Sequence, residues 1–153
     1  MVSVRTAGEA DVPALIALRH QWNEESSGSA IDDSGFASAF ETWWAVERTT
    51  RTFFLAEEDR AAIGMANVKR YDRMPVAGRT NAGWWGYVGN VFVVPAHRNR
   101  GVGQLLMDEL IAWAGGAGME HLRLAPSVRS VPFYRRLGFR PGAVVELDPP
   151  VGD

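Results

Sequence analysis

The sequence predicts a single α/β domain in which a mixed sheet carries helices on both faces. Three observations point there. The apolar pattern alternates repeatedly between strand and helix periodicity along the chain. The elements so marked follow the order β-α-α-β-β-β-α-β-α-β, which needs a sheet covered on two sides. Finally, 153 residues suffice for one core, and no linker, repeat or low-complexity tract divides them, so residues 1–153 read as one domain.

Val2-Ser3-Val4-Arg5 alternates as a strand should. Thr6-Ala7-Gly8-Glu9 has capping-box spacing, and the helix it opens turns Val12, Leu15, Ile16 and Leu18 to a core, up to about Trp22. Glu25 to Gly35 is rich in Ser, Gly and Asp and reads as a loop. A second helix runs from Asp33 or Ser34 to Arg48 with Phe36, Phe40, Trp43, Trp44 and Val46. Thr52 to Ala56 and Ala61 to Tyr71 form a hairpin around Glu58-Asp59-Arg60. Asp72 to Ala82 is a loop, and Trp84 to Val94 a long strand whose Gly86 and Gly89 mark a bulge or a close approach of ligand. Gly103 to about Ala114 is a helix with Leu106, Leu110 and Trp113 on one stripe, ended by Gly115-Gly116-Ala117-Gly118. A strand at His121–Leu124, a short helix at Val131–Leu137 and a last strand at Phe139–Leu147 complete the order.

Apolar residues make up 46% and charged residues 22% of the chain, ordinary for a globular protein. No apolar run is long enough for a membrane span, and the N-terminus lacks a basic-then-apolar signal segment. With no cysteine, disulfides, thiolate metal sites and cysteine nucleophiles are excluded, and cytoplasmic residence is the expectation. A formal charge of −2 argues against general nucleic-acid binding. The charges are unevenly spread. Arg98, Arg100, Arg123, Arg129, Arg135, Arg136 and Arg140 crowd the C-terminal half and suit a polyanionic small ligand. Glu24, Glu25, Asp32, Asp33, Glu57, Glu58 and Asp59 lie earlier, and suit either a cationic second ligand or plain surface patterning.

The segment Asn90–Gly103 concentrates the chemistry. Val91-Phe92-Val93-Val94 stops at Pro95, and a basic turn with Gly101 and Gly103 then opens a helix. A strand, a turn of close backbone N–H groups and a helix N-terminus make a pyrophosphate site, because the first helical amides lack partners and glycine lets phosphate approach. One strand later comes Pro132-Phe133-Tyr134-Arg135-Arg136-Leu137-Gly138-Phe139.

Arg98-x-x-Gly101-x-Gly103 after a strand ending in Val-x-Pro resembles the acetyl-CoA signature of the GCN5-related N-acetyltransferases (GNAT). Phe133-Tyr134-x-x-x-Gly138-Phe139 resembles that family's second signature. Either alone is weak; the ordered conjunction is specific. The element order matches end to end, while residues 87–140 carry the motifs and would form the acetyl-CoA-binding core. The resemblance implies a mixed, mostly antiparallel central sheet and an N-acetyltransferase moving acetyl from acetyl-CoA to a primary amine by direct attack in a ternary complex. It implies that the backbone of Val91, Phe92 and Val93 pairs with pantetheine, and that the amides of Arg98, Asn99, Arg100, Gly101, Val102, Gly103 and Gln104 hold the pyrophosphate. Tyr134 matches the general acid that protonates the departing thiolate, with a positioning role as the alternative.

Two departures stand out. Where many members carry Asn before the last helix, this chain has Ser127, with Ser130 three residues on, as pantetheine donors of shorter reach. Where many carry a glutamate base on the fourth strand stands Gly89, followed by Asn90, and no carboxylate exists between Asp72 and Asp108. Candidate bases are Tyr87, Asp72, Glu24, Glu25 or a water chain, with Asn90 able to orient a water but not to take its proton. This gap motivates a second reading, a CoA-binding or regulatory module without catalysis. A nucleotide-dependent kinase ranks behind both, for lack of G-x-x-x-x-G-K-[ST]. His20, His97 and His121 read as surface, and no His/Asp/Glu cluster has metal-ligand spacing, so no metal is expected. Trp43, Trp44, Trp84 and Trp85 fit core or dimer packing, or an aromatic wall for the acceptor with a cation–π contact to an amine. Within each adjacent pair at most about one ring reaches the deep core. A small-molecule or peptide amine, neither nucleic acid nor membrane, is the expected partner, and the aromatic excess makes a homodimer a reasonable expectation.

Overall fold

In the computed structural model, which describes residues 1–150 and Gly152, five strands form one sheet in the order β1-β2-β3-β4-β5. The strands are β1 (Val2–Thr6), β2 (Arg51–Glu58), β3 (Ala61–Asp72), β4 (Trp84–Val93) and β5 (Leu122–Arg123). Neighbours are antiparallel except β4 and β5, which are parallel and joined through the crossover helix α3 (Val102–Gly116). Helices α1 (Val12–Ser27) and α2 (Phe36–Glu47) precede the hairpin, and α4 (Val131–Arg136) follows β5.

The sheet is covered on both faces, which is why β2 and β3 carry continuous buried runs, Phe53–Ala56 and Ile63–Val68, instead of an alternating pattern. Phe54, Ala56, Ala66 and Val68 meet Val102, Leu106, Met107 and Leu110 of α3 on one face. Phe53, Leu55, Met65 and Phe92 meet Val12, Leu15, Leu18 and Trp44 on the other. Alternation along β2 therefore sends successive residues to opposite cores. Fully buried side chains such as Phe54, Leu106 and Leu110 each contribute about 1.5–3 kcal/mol of apolar transfer free energy.

One bulge sets the geometry that matters. Met65 pairs with Phe92 and Asn67 with Gly89, so a single β3 residue, Ala66, faces both Asn90 and Val91. Asn90 takes φ +54°, a left-handed conformation that Asn tolerates better than most residues. The extra residue reverses the alternation. Val88 faces the α3 core, while Phe92 faces the α1/α2 core. The break falls at Asn90, not at Gly86; a Cβ on Gly86 would meet Val68 Cγ2 at 2.6 Å and Met119 Sδ at 2.7 Å, so core packing, not a ligand, requires that glycine.

Other expectations shift. No strand forms from Phe139 to Leu147; β5 itself is only two residues, so little edge is offered to pair with. Helix α1 runs on to Ser27 before Gly28 ends it at φ +74°, which puts Glu24 and Glu25 on the helix and not after it. Just before it Asp11 Oδ2 accepts from the Gly8 amide at 2.8 Å and closes the short turn Glu9–Asp11, in place of the Thr6–Glu9 pair. Glu9 instead accepts from Trp44 Nε1 at 3.1 Å. Helix α2 begins at Phe36, because Asp33 Oδ1 caps the preceding turn through the Gly35 amide. Val46 is 69% exposed, and Trp44 is the buried member of its pair.

Candidate active site

Beyond Arg123, β5 leaves β4. The pair matches only at Gly86–Leu122 and Tyr87–Arg123, so the edge of β4 from Val88 onward has no strand beside it. After β4 the chain makes a short 3-10 turn at Pro95–His97 and a bend in which Asn99 and Gly101 take φ +60° and +81°. Gly101 is required there, since a left-handed φ strains any side chain. The first hydrogen bond of α3 is Leu105 N–H to the Gly101 carbonyl at 3.0 Å, which leaves the amides of Val102, Gly103 and Gln104 without a helical acceptor. No side chain caps this end. Val102 is buried and anchors the turn to the core.

The two sequence motifs meet here. A Cβ at Gly103 would stand 3.5 Å from the Phe133 ring, so the first turn of α3 is packed by α4. Tyr134 stands beside Phe133 and Phe139 in edge-to-face contacts at 5.0 and 5.8 Å. Burial raises its phenol above the usual 10, which keeps it protonated. Val91 and Val93 pack on the α3 side, Phe92 on the other. Ser127 and Ser130 lie 3.0 Å apart, oxygen to oxygen, and Ser130 Oγ donates to the Ser127 carbonyl at 2.9 Å. Gln104 Nε2 donates to Asp108 at 3.2 Å.

Arg98 and Arg100 part ways. Arg100 is exposed. Arg98 donates Nε to the Val93 carbonyl at 2.8 Å and grips Glu25 with both Nη atoms at 2.7 and 2.8 Å. The bidentate pair straps the turn to α1, and the Arg98 guanidinium holds the Glu25 carboxylate below its usual range. The other base candidates are similarly engaged. Glu24 Oε1 lies 2.7 Å from His20 Nδ1, Asp72 pairs with Arg70 at 2.8 Å, and Tyr87 stands three residues before Asn90 with its side chain exposed. Of the early acidic residues, Glu24 pairs with His20, Glu25 with Arg98, Glu57 with Arg5 and Glu58 with His97. The histidines are not simple surface residues. His20 Nε2 lies 2.8 Å from the Ile31 carbonyl, His97 sits on Glu58 at 3.1 Å, and His121 stacks on Trp85 at 5.7 Å.

Across the sheet, on the α1/α2 face, Arg19, Phe36, Ala39, Phe40, Trp43, Phe53, Met65 and Asn90 line a cavity of about 310 Å³. Phe36, Phe40 and Trp43 recur at helical spacing, and they turn to this cavity and not to the deep core. Trp43 therefore belongs to an aromatic wall, whereas Trp84 and Trp85 do not line it. Trp84 Nε1 bonds the Ala117 carbonyl at 2.9 Å, and Trp85 stacks between Tyr71 and His121.

A buried polar chain ends at that cavity. Arg51 Nε donates to Glu47 at 2.9 Å and its Nη1 to Asn67 Oδ1 at 2.7 Å; Asn67 Nδ2 donates to Asn90 Oδ1 at 2.8 Å. Asn67 is fully buried. Arginine can only donate, so it fixes which end of Asn67 is oxygen, and Asn67 in turn fixes Asn90. Asn90 is left with its NH₂ group uncommitted. Sequence reasoning had missed Arg19, Arg51 and Asn67. The lone signal for Asn67 was a polar residue inside Ile63-Gly64-Met65-Ala66-Asn67-Val68. Among the described residues no group of three or more His, Asp or Glu side chains is placed to hold a metal.

Comparison with solved structures finds the same architecture over nearly the whole chain. A predicted acetyltransferase with acetyl-CoA from Clostridium acetobutylicum is 21% identical with a TM-score of 0.75, covering 97% of this chain and 96% of that one. Glucosamine-6-phosphate N-acetyltransferase from Arabidopsis thaliana is 17% identical with a TM-score of 0.75, covering 97% of each. AAC(6')-Iy in complex with a bisubstrate analog, CoA-S-monomethyl-acetylneamine, is 20% identical with a TM-score of 0.73, covering 99% of each. Comparison with curated proteins finds no match. Residues 15–139 match the acetyltransferase (GNAT) family model, and the chain belongs to that family.

Proposed function

We propose that the protein is an N-acetyltransferase that moves an acetyl group from acetyl-CoA to a primary amine within a ternary complex. One observation carries this reading: the splayed β4 edge lies beside a helix N-terminus with free amides, with Tyr134 half-buried at the same junction. The Arg98 amide is spent on the Pro95 carbonyl at 3.2 Å, so the amides from Asn99 to Gln104 would bind the pyrophosphate, and the backbone of Val91–Val93, apart from the Val93 carbonyl held by Arg98, would pair with the pantetheine arm as an added strand does. Beyond β5 the Ser127 hydroxyl would donate to it, the Ser130 proton being spent on the Ser127 carbonyl. Bound acetyl-CoA supplies the activated thioester. The chain's own residues do the rest.

The bulge turns Asn90 toward the cavity, where its NH₂ group suits the reacting carbonyl oxygen. The amine's N–C bond forms as the C–S bond breaks, the amine proton leaves to water, and Tyr134 O–H protonates the thiolate and recovers its proton from solvent. A phenol held above its ordinary value is a weaker acid than a thiol, so Tyr134 passes its proton in step with C–S cleavage, as charge collects on the sulfur. Similar structures with acetyl-CoA and with a CoA bisubstrate analog support the choice of donor. Purified protein should release CoA thiol from acetyl-CoA only when an amine is present. A second reading, a CoA-binding module without turnover, is favoured by Gly89 and by the ion-paired state of Glu24, Glu25 and Asp72. Acetyl-CoA raising the melting temperature, with no thiol released across a broad amine panel, would establish it.

A further inference from the structure

The aromatic cavity contains a cation that packing alone does not require. Arg5, Arg48, Arg51, Arg70, Arg73 and Arg98 each have a carboxylate partner. The arginines without an ionic partner among the described residues are all exposed, with one exception: Arg19 is half-buried and lines the cavity. Its guanidinium lies 4.7 Å from the centre of the Trp22 ring, which itself stacks on Phe92 at 5.7 Å and 12°. Stacking fixes the plane of the fork and leaves its N–H edges to be satisfied by something else. A half-buried arginine held on Trp22 beside a cavity walled by Phe36, Phe40 and Trp43 calls for a counter-ion.

The other polar group in the cavity is also a donor, because Asn90 spends its oxygen on Asn67. No carboxylate lines the space. The cavity thus offers a positive fork, an aromatic wall and, at the bulge, a donor. Its volume of about 310 Å³ lies at the small end of ligand pockets, too small for a macromolecule and enough for a compact metabolite.

We propose that the acceptor is a free amino acid with a large apolar or aromatic side chain, its carboxylate gripped by the Arg19 fork and its amino nitrogen directed to the β4 bulge. This rests on the N-acetyltransferase reading and names its substrate class. It also replaces the cationic ligand that the early acidic residues suggested, since none of those residues lines the cavity.

The test is a matched series of acceptors measured by CoA release: phenylalanine, phenylalaninamide and phenethylamine, with rates referred to the free-base concentration of each. The acid should exceed its amide and its decarboxylated analogue in kcat/KM by about tenfold or more, the scale of one charge-assisted bidentate contact. Arg19→Met, which keeps the packing on Trp22, should bring that ratio to about one, and Arg19→Lys should leave it between. The ratio is taken within each variant, so a loss of folded protein cancels. Equal or better use of phenethylamine, or an undiminished ratio in Arg19→Met, overturns the proposal while leaving acetyl transfer intact. No thiol release with any amine overturns both. As a readout independent of turnover, phenylalanine should raise the melting temperature of the native chain but not of Arg19→Met; an equal rise in both counts against the proposal.

Discussion

The two sides of β4 are built to recognise by different means. The outer side offers backbone: an unpaired edge and a run of amides in one contiguous turn. The inner side offers side chains gathered from α1, α2, β2, β3 and the bulge of β4. Backbone recognition depends on φ and on helix polarity, so it tolerates change in most side chains. Side-chain recognition depends on each residue separately and can be retuned one substitution at a time. The lesson is that the invariant half of a group-transfer site is best made of main chain, and the adaptable half of side chains.

Substitutions at four positions probe that contrast. Tyr134→Phe, which removes the proton donor while keeping the ring against Phe133 and Phe139, should lower kcat about 10²-fold or more with little change in melting temperature. Unchanged turnover removes the tyrosine from the chemistry. Asn67→Asp keeps a partner for Arg51 but deprives Asn90 of its donor, so the Asn90 amide should turn over and present oxygen to the cavity. We expect kcat/KM for the amine to fall by about tenfold, with KM for acetyl-CoA unmoved. Asn67→Leu should instead cost about 1–3 kcal/mol of stability, read from a urea midpoint, by stranding Arg51 and Asn90.

Gly101→Val should raise KM for acetyl-CoA several-fold, since a branched residue at φ +81° costs about 1–2 kcal/mol and re-aims the amides. Steady-state kinetics with varied acetyl-CoA checks it, and an equal effect on the amine's KM would deny the separation of the two sides. The smallest effect concerns His121. Desolvation, with Arg123 and Arg73 nearby, lowers its proton affinity below the ordinary value of 6.5. The folded state therefore binds that proton less well than the unfolded chain, and stability held above about pH 6.5 is lost as pH falls through that value. His121→Phe should shallow the decline in urea midpoint between about pH 7.5 and about pH 5.5, because the Trp85 stack survives without the charge.

The outer side was legible in the sequence because its determinants are local. Gly101, Gly103 and the run before Pro95 are contiguous, and a helix start follows from them by chain geometry. Phe133 and Tyr134 came with their own glycine stop at Gly138. The inner side was not legible. Arg19 and Asn90 are far apart in sequence, and only the packing of α1 on the sheet puts them on one cavity. The bulge was anticipated on β4 but assigned to glycines, since a left-handed φ at Asn90 has no signature beyond the residue's tolerance for it. The strand expected after Phe139 failed for want of an edge: periodicity marks what could pair, and β5 was too short to pair with.

The bulge at Asn90 has a consequence for how this strand can vary in length. A residue gained or lost in the segment 73–83 lengthens or shortens a surface connection. A residue lost at Asn90 would remove only the bulge: Val91 would follow Gly89 in ordinary alternation opposite Ala66, so Val91 and Val93 would stay on the α3 core and Phe92 on the other. Asn90 is thus a detachable link, carried for the cavity and not for the sheet. Single-residue deletions scanned along the chain should leave folded protein both at 73–83 and at Asn90, with the urea midpoint little changed and use of the amine lost only in the second case.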